Sequence, residues 1–199
     1  MNVQPLFPYP LAISEIDSEF SSAELEFVQS LELTGNIRNL QSIDKSVLNH
    51  PELSRLKGFI EDQLDKYCRN VLCTTTAKLY LTQSWVNVTH PGQSHHQHIH
   101  PNSFISGVIY FQAAENTDMI RFSNPRITYP LTIDPEQFNL FNSMSWSVPV
   151  QKHRLLMFPS MMPHEVPTVQ GGTTRISLAF NTFVSGDMGN SDSNYYLKL

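Results

Sequence analysis

The sequence predicts a mainly β domain, a sandwich or barrel, with α-helices packed on one side. Three observations predict it: helical patterns come first, many short strand patterns follow, and neither a strand–helix alternation nor an internal repeat is present. The length of 199 residues and a hydrophobic content of 40% are enough for one sizeable core. We therefore expect a single domain with a helical part over about residues 1–75, a β core over about 76–185 and a flexible tail over about 186–199.

The N-terminal part begins with a short apolar run. Residues 6–13 are interrupted by prolines, which predicts an edge strand or an extended arm. Ser21 and the acidic Glu24 are typical of a helix start, because a serine caps the first turn and acidic side chains favour its dipole. Gly35 ends that unit, and the polar residues 36–44 predict a loop.

A long helix is predicted next, followed by strands. Apolar residues recur at three- and four-residue steps between Pro51 and Val71, which is the helical period. After Thr76 the chain becomes rich in β-branched and aromatic residues. Prolines, asparagines and short apolar pieces in 124–142 predict loops and small strands. The predicted strands cover 78–89, 104–111, 119–122, 154–159, 164–167 and 174–183.

Histidines are concentrated at one place in the chain. Four of the eight, His95, His96, His98 and His100, lie within six positions. Imidazole is the commonest side-chain ligand of transition metals at neutral pH. Residues two apart in an extended strand point to the same side, so His98 and His100 supply two ligands together. His96 beside His98 is an alternative pair, whereas His95, His90 and His153 are predicted at the surface.

A third ligand has to come from another strand, and His164 is the candidate. It begins a predicted strand, and Arg175 follows eleven positions later (175 − 164 = 11) in an otherwise apolar segment. A buried arginine needs a partner, and its planar fork binds a carboxylate with two hydrogen bonds. Ser177 faces the same side and adds a hydroxyl donor. Three ligands with open positions opposite them are typical of non-haem Fe(II) oxygenases, although the usual set is two histidines and one carboxylate.

The chain resembles the 2-oxoglutarate/Fe(II)-dependent oxygenases of bacteria and tailed phages, a group similar to the prolyl hydroxylases. The resemblance runs from about residue 5 to about residue 184 and implies a double-stranded β-helix, a jelly-roll barrel of the cupin type with iron at its mouth. It is carried by SWVN at 84–87, HIHPNS at 98–103, SGVIY at 106–110, FPS at 158–160, His164 and RISLAFN at 175–181.

The resemblance also implies roles for individual residues. His98 and His164 would bind Fe(II), and Arg175 would bind the far carboxylate of 2-oxoglutarate with the help of Ser177. Tyr110 would reach the same carboxylate, and Asn87 would line the pocket. With dioxygen as the second cosubstrate, a C–H bond of a protein side chain or of a small molecule would be hydroxylated, with release of succinate and carbon dioxide.

One position departs from the usual pattern of this superfamily. His100 stands where an aspartate or glutamate is normally the second ligand, so the predicted site of His98, His100 and His164 is more positive by one charge. Glu115 and Asp118 are nearby carboxylates in a predicted loop and are not expected to be ligands. Two alternatives therefore stay open: a three-histidine cupin-type dioxygenase that uses no 2-oxoglutarate, and a non-catalytic jelly-roll protein with a binding or structural role.

The composition excludes several other classes. A formal net charge of −5 argues against a protein that binds nucleic acid mainly through the phosphate groups. No apolar run approaches the roughly 20 residues that cross a bilayer, and residues 1–5 do not read as a signal peptide, so we expect a cytoplasmic protein. The two cysteines, Cys68 and Cys73, lack the paired spacing of a zinc site and are predicted to be buried thiols.

Overall fold

Two antiparallel β-sheets face each other, and the helices cover the outer side of the larger sheet. The computed structural model describes residues 1–126, 131 and 133–199. The strands in chain order are β1 (Ala12–Glu15), β2 (Leu33–Gly35), β3 (Leu40–Ser42), β4 (Ala77–Thr89), β5 (His95–His98), β6 (Ile105–Gln112), β7 (Met119–Ser123), β8 (Ser145–Pro149), β9 (Arg154–Pro159), β10 (His164–Val166), β11 (Arg175–Met188) and β12 (Leu197–Lys198).

The larger sheet has the order β1-β9-β6-β11-β4-β3-β2, and β12 pairs with the end of β11. The smaller sheet has the order β5-β10-β7-β8. Every pairing between these strands is antiparallel, and one isolated parallel bridge joins Ser46 to Ser84 on β4. Sequence neighbours are often far apart in a sheet, as when β6 lies between β9 and β11. This two-sheet arrangement confirms the mainly β prediction.

Two α-helices follow the predicted positions. Helix α1 spans Ser22–Ser30 and begins with a capping box, in which Ser21 and Glu24 each satisfy the other's backbone N–H. Helix α2 spans Ser54–Asn70. It begins three residues later than predicted, because Pro51–Leu53 forms a 3₁₀ turn of its own. Another such turn covers Val47–Asn49.

Two hydrophobic cores lie on the two faces of the larger sheet. One is packed between the helices and this sheet and includes Leu56, Ile60 and Ile109. The other lies between the sheets and includes Tyr110, Phe122 and Phe158. Strands β6 and β9 are buried on both faces, which explains why they read as continuous apolar runs rather than as alternating ones.

Parts of the predicted domain layout differ from the structure. Strand β1 lies at the edge of the larger sheet and overlaps the end of the segment 6–13, for which an edge strand or an extended arm was expected. The β2–β3 hairpin beside β4 was not expected within the N-terminal 75 residues. The tail after residue 186 was predicted to be flexible, but β12 returns to pair with Asp187 and Met188. Within 124–142, residues 127–130 and 132 lie outside the described part, and the described remainder contains no strand.

Strand β8 lies just beyond that region and has no counterpart in the predicted strands. Neither α-helix in the described ranges combines the length and the apolar composition that a membrane crossing requires.

Candidate metal centre

Three histidines predicted as ligands converge between the two sheets. Antiparallel pairing of β5 with β10 places His98 directly opposite His164. Strand β5 ends at His98, so His100 lies just beyond it and not inside the strand as predicted. The Nε2 atoms of His100 and His164 are 3.3 Å apart, and the ring centroids of His98 and His164 are 4.4 Å apart. One ligand atom from each histidine lies within 4.8 Å of those of the other two.

Backbone carbonyls orient two of these rings. The Nδ1 of His98 donates to the carbonyl of His96 at 2.8 Å, and the Nδ1 of His164 donates to the carbonyl of Met162 at 2.9 Å. A carbonyl can only accept, so Nδ1 carries the proton and the lone pair is on Nε2. The backbone N–H of His100 donates to the carbonyl of Ser160 at 2.9 Å, and this hydrogen bond fixes the backbone that carries the third ring.

The environment keeps these imidazoles neutral. Burial, together with the neighbouring His98, lowers the pKa of His164 to about 3. Burial and His98 likewise lower the pKa of His100 to about 4, and burial lowers the pKa of His98 itself. Neutral imidazole is the form that binds a metal ion, so the cluster is a set of ligands ready for a cation at neutral pH.

A second group of histidines adjoins the first, and the prediction that His95 lies at the surface is wrong. The His95 ring is stacked on His98 with centroids 4.4 Å apart, and its Nε2 lies 3.4 Å from Asn36 Nδ2. With His96 these two form another potential ligand group. The pairing register shifts here: two steps from His164 to Val166 on β10 oppose three steps along β5. The extra residue turns His95 toward the side that His98 occupies.

The other histidines are apart from this cluster. His90 is exposed as predicted, and His50 pairs with Asp44 at 2.7 Å. His153 is half-buried against Phe20 and not a surface residue. In the part of the chain that the structure describes, both potential ligand groups consist of histidines alone, without Asp118 or Glu115.

Arg175 is buried beside the cluster. Only 2% of it is exposed, so it is not on a solvent face. Its Nη1 donates to the carbonyl of Met119 at 2.8 Å and its Nη2 donates to the hydroxyl of Tyr110 at 3.2 Å. No carboxylate among the described residues forms a salt bridge with it. A buried guanidinium with only neutral partners is a site for an anion.

The strand register assembles the remaining predicted residues around Arg175. Ser177 on β11 lies opposite Tyr110 on β6 and opposite Asn87 on β4. All three are buried, and Asn87 Oδ1 has no hydrogen-bond partner. Tyr110 is fully buried, its hydroxyl accepts a hydrogen bond from Arg175, and it is not among the residues that line the cavity. Burial raises the pKa of that hydroxyl.

One narrow cavity of about 50 Å³ connects these groups. It has room for one or two water molecules, each of which occupies about 30 Å³ in the liquid. Its walls bring the predicted cation ligands and the predicted anion ligands together, namely Asn87, His98, His100, His164, Arg175 and Ser177.

Further wall residues come from a turn that was predicted only as loop. The β2–β3 hairpin turn contributes Asn39, which is buried, lines the cavity and has an Oδ1 without a partner. Asn36 in the same turn contacts His95. The polar run from 36 to 39 contains the only signal of this role, and it cannot be told from an ordinary turn by sequence alone.

A comparison with protein families gives a match over the β part of the chain. Residues 83–181 match the model of a family described as "Putative 2OG-Fe(II) oxygenase". No curated protein sequence matches the chain.

Solved structures share the fold at low sequence identity. A prolyl-4-hydroxylase of Pseudomonas putida is similar with a TM-score of 0.55 and 16% identity over 88% of this chain and 94% of that chain. HygX from Streptomyces hygroscopicus, with nickel, 2-oxoglutarate and hygromycin B bound, is similar with a TM-score of 0.57 and 13% identity over 87% and 82%. A 2OG-Fe(II) oxygenase family oxidoreductase from Burkholderia pseudomallei gives 0.56 and 13% over 79% and 74%.

These likenesses confirm the jelly-roll fold that the resemblance implied. The match to the family covers the strands that carry the histidine cluster and Arg175. The chain therefore belongs to the 2OG-Fe(II) oxygenases, a family of oxidoreductases whose cofactors are Fe(II) and 2-oxoglutarate.

Proposed function

We propose that the protein hydroxylates a C–H bond of a primary substrate in a reaction that consumes 2-oxoglutarate and dioxygen and releases succinate and carbon dioxide. One observation supports this most strongly: three neutral imidazoles and a buried guanidinium without a carboxylate partner line the same cavity. The first group suits a divalent cation and the second suits a carboxylate.

We assign Fe(II) to His98, His100 and His164. The Nε2 atoms of His100 and His164 are 3.3 Å apart, close enough for both to bind one ion. The carbonyl partners of the His98 and His164 rings leave the Nε2 lone pairs of both available to that ion. Three ligands on one side leave positions on the other side for cosubstrates.

We assign the far carboxylate of 2-oxoglutarate to Arg175. Its guanidinium lines the cavity on β11, and Ser177 projects from the same strand face two residues on. Tyr110 and the Met119 carbonyl hold the guanidinium in place. The amide of Asn87 has an unpaired oxygen beside these groups and is available to a bound ligand or water. The narrow cavity has to widen at its rim when the dianion binds.

The bound iron and 2-oxoglutarate supply the activation of dioxygen. The residues of the chain hold both, orient them and limit the access of water. Val108, Ile120 and Phe158 form the apolar part of the wall. Such surroundings strengthen the attraction between Arg175 and a carboxylate, because the local dielectric is low.

The histidine at position 100 affects the charge of the site. Three neutral imidazoles leave the full charge of a divalent ion uncompensated, whereas a carboxylate ligand would cancel one unit. A dianionic cosubstrate then neutralises the ion, and Arg175 adds one further positive charge. The site is therefore electrostatically suited to a ligand with two carboxylates.

A three-histidine dioxygenase without 2-oxoglutarate is the second candidate, and the ligand set itself favours it. Arg175 favours the first candidate, because a buried cation whose partners are all neutral suits the far carboxylate of a keto acid. The primary substrate is a protein side chain or a small molecule; the similar structures include a prolyl-4-hydroxylase and a protein with hygromycin B bound. Location in the cytoplasm and a phage origin stay predictions from the sequence.

Anaerobic titration of the Fe(II)-loaded protein with 2-oxoglutarate tests the proposal. A weak visible charge-transfer band is expected when the keto acid chelates iron, and Arg175→Ala should weaken 2-oxoglutarate binding while iron stays bound. Iron binding without the band, at any 2-oxoglutarate concentration, would favour the second candidate. Absence of iron binding would refute both. Exposed Arg69→Ala is the matched control.

A further inference from the structure

A second, larger cavity of about 460 Å³ lies next to the cavity that holds the candidate metal centre. The two share His95 and Val166 in their walls. His95 separates them, because its ring is stacked on that of His98 at 4.4 Å. A molecule in the outer cavity is therefore one imidazole ring away from a proposed iron ligand.

The walls of the outer cavity are mostly polar and carry charges of both signs. Arg121 and Glu165 form an ion pair at 3.0 Å and so satisfy each other. Arg38 is exposed in the β2–β3 turn, and its guanidinium has no hydrogen-bond or salt-bridge partner among the described residues. Its positive charge is free to pair with an anion.

An acidic side chain just before β7 also has an oxygen without a hydrogen-bond partner. Asp118 is 2% exposed, and its Oδ2 accepts a hydrogen bond from the Ala114 N–H at 2.9 Å, but its Oδ1 has no partner. His96 lines the same cavity, and its buried Nδ1 is likewise unpaired. Buried acceptors without donors are costly, and a bound group with N–H or O–H bonds would remove that cost.

We propose that this outer cavity is the binding site of the primary substrate and that the substrate is a small zwitterion of the amino-acid type. Its carboxylate would pair with Arg38, and its ammonium group would donate to Asp118. The inference rests on the proposed function, because it places the substrate beside the iron and 2-oxoglutarate site. The volume is within the range of small-molecule pockets, about 300–1,000 Å³, and the polar walls disfavour a lipid.

The turn between β2 and β3 would connect the two sites. Arg38 of this turn lines the outer cavity, and Asn39 lines the inner one. Asn36 of the same turn contacts Nε2 of His95, which lies between the two cavities. The backbone carbonyl of Arg38 also accepts a hydrogen bond from the Ser94 N–H just before β5. A substrate in the outer cavity would contact the segment that carries the candidate ligands, because Ser94, His95 and His96 line that cavity.

The test combines a binding measurement with turnover. Binding of the twenty free L-amino acids is measured by saturation-transfer NMR on the iron-free protein and repeated with their N-acetyl derivatives and methyl esters. At least one free amino acid is expected to bind, and blocking either end should weaken its binding about tenfold or more. The same amino acid should raise succinate formation at least fivefold in the protein loaded with Fe(II) and 2-oxoglutarate.

Two variants locate the site. Arg38→Ala should weaken binding of that amino acid about tenfold and leave the Kd for 2-oxoglutarate unchanged, whereas the exposed control Arg69→Ala changes neither. Asp118→Asn keeps an oxygen that accepts from the Ala114 N–H. This variant should weaken binding of the free amino acid and leave binding of its N-acetyl derivative unchanged.

Three outcomes would overturn the inference: no free amino acid binds, its binding is the same in Arg38→Ala, or the amino acid that binds does not raise succinate formation. The proposed function fails separately, if 2-oxoglutarate gives no charge-transfer band with bound iron.

Discussion

The guanidinium of Arg175 donates to the hydroxyl of Tyr110 at 3.2 Å, and its central carbon lies 4.9 Å from the centre of the tyrosine ring. The neighbouring strands β11 and β6 present these side chains from positions offset by two residues, since Tyr110 pairs with Ser177. The tyrosine thus fixes the direction of the arginine without lining the cavity. Affinity for the cosubstrate is expected to depend on both.

Tyr110→Phe keeps the ring and removes only the hydroxyl. We expect the Kd for 2-oxoglutarate to rise about tenfold, because a hydrogen bond to a charged group is worth about 1.5–3 kcal/mol and only part of it is felt by the ligand. Iron binding should not change. Anaerobic titration of the Fe(II) protein measures both, with the half-exposed Tyr80→Phe as control; an unchanged Kd would show that Arg175 is held without this hydroxyl.

Substitution of the two adjoining histidines separates the two potential ligand groups. His164→Ala should abolish iron binding, because it removes a proposed ligand. Removing a group that only orients a ligand would lower the affinity for iron by about 10- to 100-fold. His95→Ala should retain iron, because it belongs only to the second group. Metal content is measured after equilibrium dialysis, with exposed His90→Ala as control. Loss of iron in His95→Ala together with retention in His164→Ala would reverse the assignment.

His100→Asp introduces the carboxylate that is common in the wider superfamily. We expect the variant to retain iron but to bind 2-oxoglutarate at least about threefold more weakly, because the added negative charge lowers the attraction for a dianion. The same titration measures this at low salt, where electrostatic effects are largest. His90→Asp adds an equal charge away from the site and controls for long-range effects. Tighter binding in His100→Asp would contradict the electrostatic explanation.

Gly107 allows the close approach of two neighbouring strands. A Cβ at this position of β6 would lie 2.2 Å from the ring of Phe180 on β11, where the two residues are paired. Phe180 is fully buried, so its ring has no free space to move into. Gly107→Ala should lower the free energy of unfolding by about 1–3 kcal/mol.

Gly58→Ala is the matched control for that variant. Gly58 lies within α2 with no atom within 4 Å of the added carbon, and alanine should raise the free energy of unfolding by about 0.5–1 kcal/mol. Urea denaturation measures both variants. Equal effects of the two substitutions would show that contact with Phe180 is not the cause.

The Glu24–Arg55 ion pair joins the two helices and predicts a pH dependence of stability. Glu24 is 2% exposed, and its carboxylate lies 2.7 Å from the Arg55 guanidinium. Burial opposes ionisation, but the hydrogen bonds and charge of Arg55 and the Ser21 N–H prevail and lower the pKa of Glu24 below its usual 4.5. The pair therefore stabilises the fold above pH 4.5, and this contribution is lost as the pH falls through the lowered pKa.

Glu24→Gln isolates that contribution, because glutamine also forms a capping box. Arg55 is 42% exposed, so the discounted loss should be about 1–2 kcal/mol at pH 7 and should shrink below pH 4.5. Glu26→Gln changes an exposed carboxylate on the same helix and serves as control. A difference between wild type and Glu24→Gln that stays constant from pH 7 to pH 3 would exclude the ion pair as its source.

Strands with strong apolar or β-branched patterns could be predicted from the sequence, and polar short strands could not. β6 and β9 are buried on both faces, which produces long apolar runs, and β4 and β11 are rich in β-branched and aromatic residues. β2 and β3 are three residues each; β3 pairs with β4 and β2 pairs with β3, a tertiary effect that no local pattern carries. The same applies to β12.

The candidate site was predictable to the extent that its residues carry unusual chemistry for their positions. Four clustered histidines and an arginine in an apolar strand stand out in any sequence of this composition. Asn39 and Arg38 do not, because polar side chains are ordinary in a hairpin turn. His95 was misplaced because strict alternation assigns it to the face opposite His98, and the register shift reverses that assignment.

The extra residue in β5 decides which side of the strand His95 occupies. If the present residues of β5 paired with β10 in regular alternation, His95 would point to the side opposite His98 and would lose its place at the boundary between the two cavities, although no histidine would be missing. Removing one residue between His95 and His98 would instead allow regular pairing with His95 still on the side of His98. The bulge therefore does for His95 what a strand one residue shorter would do without it.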